Sequence, residues 1–201
     1  MLLFFALSCF AAAALGSVVV YQRGAQTRLT APDGTARLPP KSALALPPRP
    51  EPTLETLQLG DVVLDGNDDY VVVGTMSYRE EQDSWNIHLL DAGATRRFLE
   101  VKSRRGVVTA ALLDEVDDAP IHGQLGTGLT YRGKPLTLEA RGDARTQPMG
   151  ESDGREGGML RYARYAGPGG ALLLVEEASM SKRALYGHAV PSSSLTIYPH
   201  P

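Results

Sequence analysis

Asp61-Val62-Val63-Leu64-Asp65-Gly66-Asn67-Asp68-Asp69-Tyr70-Val71-Val72-Val73-Gly74 holds two short β-forming runs around a turn. Asp-Gly-Asn-Asp supplies residues that tolerate positive φ or bond their own backbone. The valine-rich flanks fit a pleated surface. The reading is a β-hairpin, and the chain beyond it repeats the pattern. Trp85, Ile87 and Leu89 alternate with Asn86, His88 and Leu90. Asp91-Ala92-Gly93 then turns the chain into Phe98-Leu99-Glu100-Val101. Gly106-Val107-Val108 starts another run, and Leu129, Tyr131, Leu136, Leu138 and Ala140 alternate around Arg132-Gly133. Later runs cover residues 159–165, 171–177, 184–190 and 195–198. No window from 55 onward carries a long, capped amphipathic helix; residues 110–116 have room for a turn or two. About ten short strands joined by hairpins imply an all-β domain, an antiparallel barrel or a two-sheet sandwich. Two stretches, 85–101 and 160–176, share a strand, an Ala-Gly turn and a Glu-bearing strand, which hints at an internal duplication.

Working toward the amino terminus, the character of the chain changes. Seven of the 14 prolines lie between Pro32 and Pro52, where neither helix nor ladder strand is sustainable. Residues 23–52 read as a basic, semi-extended spacer ahead of a β domain at 53–201. Charge divides near the same boundary: residues 23–50 carry net +4 and residues 51–201 carry net −7. The basic arm suits anionic headgroups, and the acidic domain is repelled by them.

Residues 1–22 contain no ionisable side chain, and residues 2–21 form a nearly continuous apolar run. About 20 such residues match a bilayer's hydrocarbon core in helical form. The expectation is one transmembrane helix, anchoring the protein to the lipid bilayer. Arg23, Arg28, Arg37, Lys41 and Arg49 follow it, so the positive-inside rule sets the carboxy-terminal domain on the cytoplasmic side of an inner membrane. A cleaved export signal ending near Ala14-Leu15-Gly16 is the alternative, although no basic region precedes the apolar core.

The 201 residues carry 20 Lys+Arg, 23 Asp+Glu and one Cys. A formal charge of −3 speaks against nucleic-acid binding driven by net charge. One cysteine excludes an intramolecular disulfide and any multi-cysteine metal site.

Candidate chemistry is sparse. His88, His122, His188 and His200 show no HxH or HExxH spacing. His88 lies opposite Trp85 on its strand and reads as a sheet-surface residue; Trp85 itself reads as core. Ser179-Met180-Ser181-Lys182 matches Ser-x-x-Lys, the nucleophile motif of penicillin-interacting enzymes, but without the helix start, Ser-Asp-Asn or Lys-Thr-Gly that the chemistry needs. Gly123-Gln124-Leu125-Gly126-Thr127-Gly128 lacks the order of a dinucleotide or phosphate loop. Arg141-Gly142-Asp143 reads as a turn. Asp65, Asp68 and Asp69, and separately Asp114, Glu115, Asp117 and Asp118, are acidic groups suited to water, Ca²⁺ or a polycation. No catalytic, cofactor or metal residues are assigned, and no enzyme activity or cofactor is expected. The expected function is a membrane-tethered, non-catalytic module binding a protein partner. The alternative is a binder of small cationic ligands, polyamine or Ca²⁺, through the acidic loops.

Several of these pieces, in this order, resemble the bacterial family DUF4178, a domain of unknown function. They are Leu59-Gly60-Asp61, Tyr70-Val71-Val72-Val73-Gly74, Trp85 heading a strand and Phe98-Leu99-Glu100-Val101. Tyr162-Ala163-Arg164-Tyr165, Leu173-Leu174-Val175-Glu176-Glu177, and Tyr186-Gly187 through Ile197-Tyr198 complete the set. The resemblance covers about residues 57–198. It implies two related β units, sometimes behind a membrane span, and a setting of membrane-stress and polyamine-synthase-like partners. It brings no catalytic motif. Where a Trp-x-Glu-Tyr strand is typical of the family, this chain has Trp85-Asn86-Ile87-His88.

Overall fold

A computed structural model describes residues 50–120, 126–179 and 181–200. The expected membrane helix at 1–22, nearly all of the spacer, His122 and Met180 lie outside the described residues. Among those residues no helix is long and apolar enough to cross a membrane.

The described chain is all-β, with eleven strands. They are β1 (Val62–Asp65), β2 (Asp68–Glu80), β3 (Asp83–Asp91), β4 (Arg96–Arg104), β5 (Val107–Val116) and β6 (Gly128–Tyr131). Next come β7 (Lys134–Gly150), β8 (Gly158–Ala166), β9 (Ala171–Glu177), β10 (Lys182–Val190) and β11 (Leu195–Tyr198). The opening hairpin is present, with Asp65 opposite Asp68. Residues 110–116 form strand, within β5, and no helix. β2 and β7 span 13 and 17 residues, longer than the turn spacing suggests, because each continues through a β-bulge.

Eight strands close into an antiparallel barrel in the order β2-β3-β4-β5-β10-β9-β8-β7, with β7 returning to β2 over Gly74–Arg79 and Arg145–Gly150. Closure removes the open edges that a sheet of this size otherwise presents. β1 pairs with the free part of β2 and β11 pairs with β1, while β6 pairs with the free part of β7.

The chain runs through the same plan twice. A four-residue strand, a two-residue turn and a long bulged strand lead into a three-strand meander: β1–β5, then β6–β10. Both bulges fall on the sixth residue of the long strand, Val73 in β2 and Glu139 in β7. An extra residue inverts the inside–outside alternation. Tyr70 and Val72 therefore face outward under β1 and β11, while Met76 and Tyr78 face the barrel interior. Leu136 and Leu138 face outward under β6, while Ala140 and Ala144 face inward. Gly74 follows the first bulge, where a Cβ would overlap the carbonyl oxygen of Glu151.

The core accordingly has three parts. The barrel interior holds Met76, Tyr78, Trp85, Ile87, Leu89, Phe98, Leu113, Leu174 and Leu185. One outer layer packs Leu54, Leu57, Val63, Leu90, Leu99 and Leu195 over the first half. The other packs Tyr131, Leu136, Tyr165, Leu173 and Val175 over the second. Trp85 is buried as expected, sharing an inward face with Ile87 and Leu89. His88 is not a surface residue: it points outward from the barrel, but the outer layer leaves it only 1% exposed. A one-layer reading of strand alternation gives every second residue to solvent and fails wherever a second layer covers the sheet.

Candidate functional site

Charged side chains project into the barrel among inward-facing residues that are mostly apolar. Glu100 of β4 and Glu176 of β9 are each 3% exposed. They occupy equivalent places in the two halves. Glu100 faces Ile87, four residues before β3 ends at Asp91, and Glu176 faces Tyr162, four residues before β8 ends at Ala166. The duplicated strands therefore align Phe98-Leu99-Glu100-Val101 with Leu174-Val175-Glu176-Glu177, one residue later than the sequence match suggests. A buried carboxylate needs a cation and hydrogen bonds to replace its lost water. Both have their cations, but Glu176 has hydrogen bonds at both oxygens whereas Glu100 Oε1 is buried without one.

At the Glu100 end the barrel opens into a cavity of about 630 Å³. Arg164 of β8 brings Nη2 to 3.1 Å and Nε to 3.3 Å from Glu100 Oε2. Lys102 Nζ stands 3.2 Å from Oε1. Arg164 also pairs with Glu139, the bulge residue of β7. Lys102 sits 4.9 Å from the centre of the Trp85 ring, whose far side stacks on Tyr78 at 5.0 Å. Burial pulls the Lys102 ammonium below the usual lysine range, against the opposing pull of Glu100. Tyr162 meets Trp85 edge-on and donates its hydroxyl to Glu80 at 2.5 Å. Burial, then the bond to Glu80, holds that phenol above its ordinary pKa, so it stays a donor. The Trp85 Nε1–H is buried without an acceptor. Thr109, Ala140, Ala166 and Ala189 line the mouth as well. Their small side chains leave the volume unfilled. The result is a cleft with a charged, aromatic pole and a small apolar wall, the composition of a small-molecule site.

At the Glu176 end the equivalent opening is covered. Where β2 turns into β3 through Glu81 and Gln82 alone, β7 reaches β8 through residues 151–157. Glu151 N–H donates to the Val73 carbonyl at 2.9 Å, and Arg96 holds the Glu151 carboxylate at 3.0 Å. The loop then carries Arg155 over the barrel end. Arg155 Nη1 donates to Glu176 Oε2 at 2.8 Å and to the Tyr78 hydroxyl at 2.9 Å. Tyr78 in turn donates to Glu176 Oε1 at 2.5 Å, and Arg183 Nε donates to Oε2 at 2.7 Å. Burial and the neighbouring Glu176 push the Tyr78 phenol far above its ordinary pKa. Burial also opposes the charge on Arg183, but Glu176 outweighs it.

The sequence-derived candidates are scattered. His88 accepts or shares a 2.9 Å bond between Nδ1 and Thr75 Oγ1; burial lowers its pKa to about 4, with nearby Asp61 pulling the other way. His188 is exposed on β10. Ser179 and Ser181 lie in the β9–β10 turn, and Lys182 opens β10. The acidic residues are partly claimed by arginines. Arg97 reaches Asp114 at 2.9 Å and Asp65 at 3.5 Å, and Arg132 and Tyr131 hold Asp118. No group of three or more His, Cys, Asp or Glu among the described residues is placed to hold a metal ion. The interior charges were missed because they are scattered over four strands and form no local motif. The legible signal was phase: Glu100 and Lys102 follow Phe98 at steps of two, and Glu176 follows Leu172 and Leu174 likewise.

Comparison with known proteins places this geometry in context. A domain family described as a domain of unknown function, DUF4178, matches residues 58–192. Uncharacterised proteins of Mycobacterium bovis and Mycobacterium tuberculosis are 31% identical over 149 residues, which covers 71% of this chain and 71% of theirs. No solved structure matches the chain.

Proposed function

The chain belongs to the DUF4178 family, and we propose that its barrel is a non-catalytic binding module that takes a small ligand into the open mouth beside Glu100. The observation that carries this reading is the mouth itself. A cavity of about 630 Å³ lies between a charged aromatic pole and a wall of small residues. A ligand entering it gains apolar contact with Ala140, Ala166 and Ala189, and its polar end meets the free Trp85 N–H and the remaining donors of Lys102. The ion pairs fix those groups before the ligand arrives, which lowers the ordering cost of binding. In the same proposal residues 1–22 tether the module to the inner membrane, with the domain on the cytoplasmic side.

Native mass spectrometry of the full chain, purified from its own cells, tests the reading. The expected result is a bound small molecule that is lost in Ala189→Phe, where a ring fills the mouth. A bound mass that persists in the folded variant moves the site elsewhere. Fusions at the carboxy terminus test the tether: active alkaline phosphatase with a dark fluorescent protein would reverse the orientation.

A further inference from the structure

The capped end of the barrel has an excess of buried donors that the fold itself does not use. Glu176 is one carboxylate serving two guanidinium groups and a phenol. Its oxygens are filled, yet Arg183 keeps both Nη1 and Nη2 buried with no acceptor, and Arg155 keeps Nε the same way. An unpaired buried donor forfeits its hydration, so such groups in a stable fold normally have an occupant. Arg183 is held from two sides, by Glu176 at Nε and by the Phe98 ring at 4.8 Å, so its outer fork is fixed in direction. Both arginines line a cavity of about 660 Å³ under the β7–β8 loop, together with Thr146, Ser181 and Lys182.

We propose that this cavity is a second ligand site, in which the Arg183 fork, backed by Arg155, takes the carboxylate group of a small molecule. The planar guanidinium fork matches two carboxylate oxygens side by side. One added negative charge also balances the deep set, where two arginines face one glutamate. The rim carries Glu115, Asp153 and Glu156 as well as Lys182. These carboxylates oppose a polyanion, so the ligand carries a single negative charge at its buried end and is neutral or cationic at the other. The site is separate from the mouth beside Glu100, which lies at the opposite end of the barrel, so either reading stands without the other.

The test uses the full chain and sodium acetate, with sodium chloride holding ionic strength constant. The side-chain Nε–H signals of Arg155 and Arg183 are followed by NMR. Saturable shifts of both signals with acetate are expected, and Arg183→Lys, which keeps the charge but loses the fork, should weaken them at Arg155 about tenfold. Linear or absent shifts in the wild-type protein mean that water alone fills the site, and they overturn the proposal whether or not the variant folds. Inorganic phosphate binding more tightly than acetate overturns the carboxylate assignment. Unchanged acetate binding in a folded Arg183→Lys protein removes the fork from the site.

Discussion

The two ends of the barrel are built from the same plan, and the connection from the bulged strand into the meander differs between them. At one end β2 turns into β3 through two residues, and among the described residues nothing folds back over the interior. At the other, residues 151–157 cross the opening and bring Arg155 down onto Glu176. The inward positions diverge to match. Trp85, third in β3, corresponds to Leu160, third in β8, and Tyr78 corresponds to Ala144. Trp85 and Tyr162 make an aromatic shield at the open end, beside Glu100. At the capped end Tyr78 and the loop's Arg155 both bond Glu176. A duplicated scaffold can thus keep one carboxylate per half while a short insertion decides which cations hold it.

The largest effect should come from removing that aromatic shield. Trp85→Ala loses a buried ring that stacks on Tyr78 and carries Lys102, and should destabilise by about 3–5 kcal/mol in denaturant melts. A native-like melt together with an exposed native Trp emission in the wild-type protein would show that the ring is a surface contact. Leu160→Ala at the capped end should fall in the lower part of the same range, because less area is lost.

The paired carboxylates come next. Glu176→Gln leaves two buried guanidiniums facing one neutral amide, and breaking such a buried pair costs about 3 kcal/mol or more. Glu100→Gln should cost less, about 1–2 kcal/mol, because Lys102 reaches solvent through the mouth and can rehydrate. Equal losses in the two variants would mean that the loop's cover makes no difference to the carboxylate beneath it.

His88 distinguishes the halves on their outer faces, since its counterpart in the second half is Ala163. The folded imidazole has a pKa of about 4 against an ordinary 6.5, so the unfolded chain takes up its proton first as pH falls. The stability this neutral histidine allows is complete above about pH 6.5 and is lost progressively toward pH 4, amounting to about 3 kcal/mol. His88→Leu should flatten the stability–pH profile over that window. A profile unchanged by the substitution would return His88 to solvent contact. The smallest effect is expected from Ser179→Ala, within about 0.5 kcal/mol, as for an ordinary exposed turn residue.

Much of the fold was written locally. The hairpin around Asp65-Gly66-Asn67-Asp68 and the alternation 85-87-89 needed only turn chemistry and period-two patterning. The duplication showed in the two strand–Ala-Gly–strand stretches, although it was offset by one residue. The bulges at Val73 and Glu139 were not legible, because a bulge changes no residue type and only shifts phase against a partner strand. The error at His88 has the same origin: alternation tells which side a residue takes, and not what lies on that side. At the candidate site, Glu100, Lys102, Arg164, Glu176 and Arg183 come from four strands, and nothing in their local sequence links them.

The sequence alone determined the all-β class, the strand punctuation, the inward Trp85 and the membership of the family, because these rest on neighbours a few residues apart and on short motifs. Only the tertiary structure decided that the sheet closes, that Arg155 meets Glu176 across 21 residues and Arg164 meets Glu100 across 64, and that a cavity lies beside each carboxylate. Those contacts depend on strand order and register around a barrel, which no local pattern encodes.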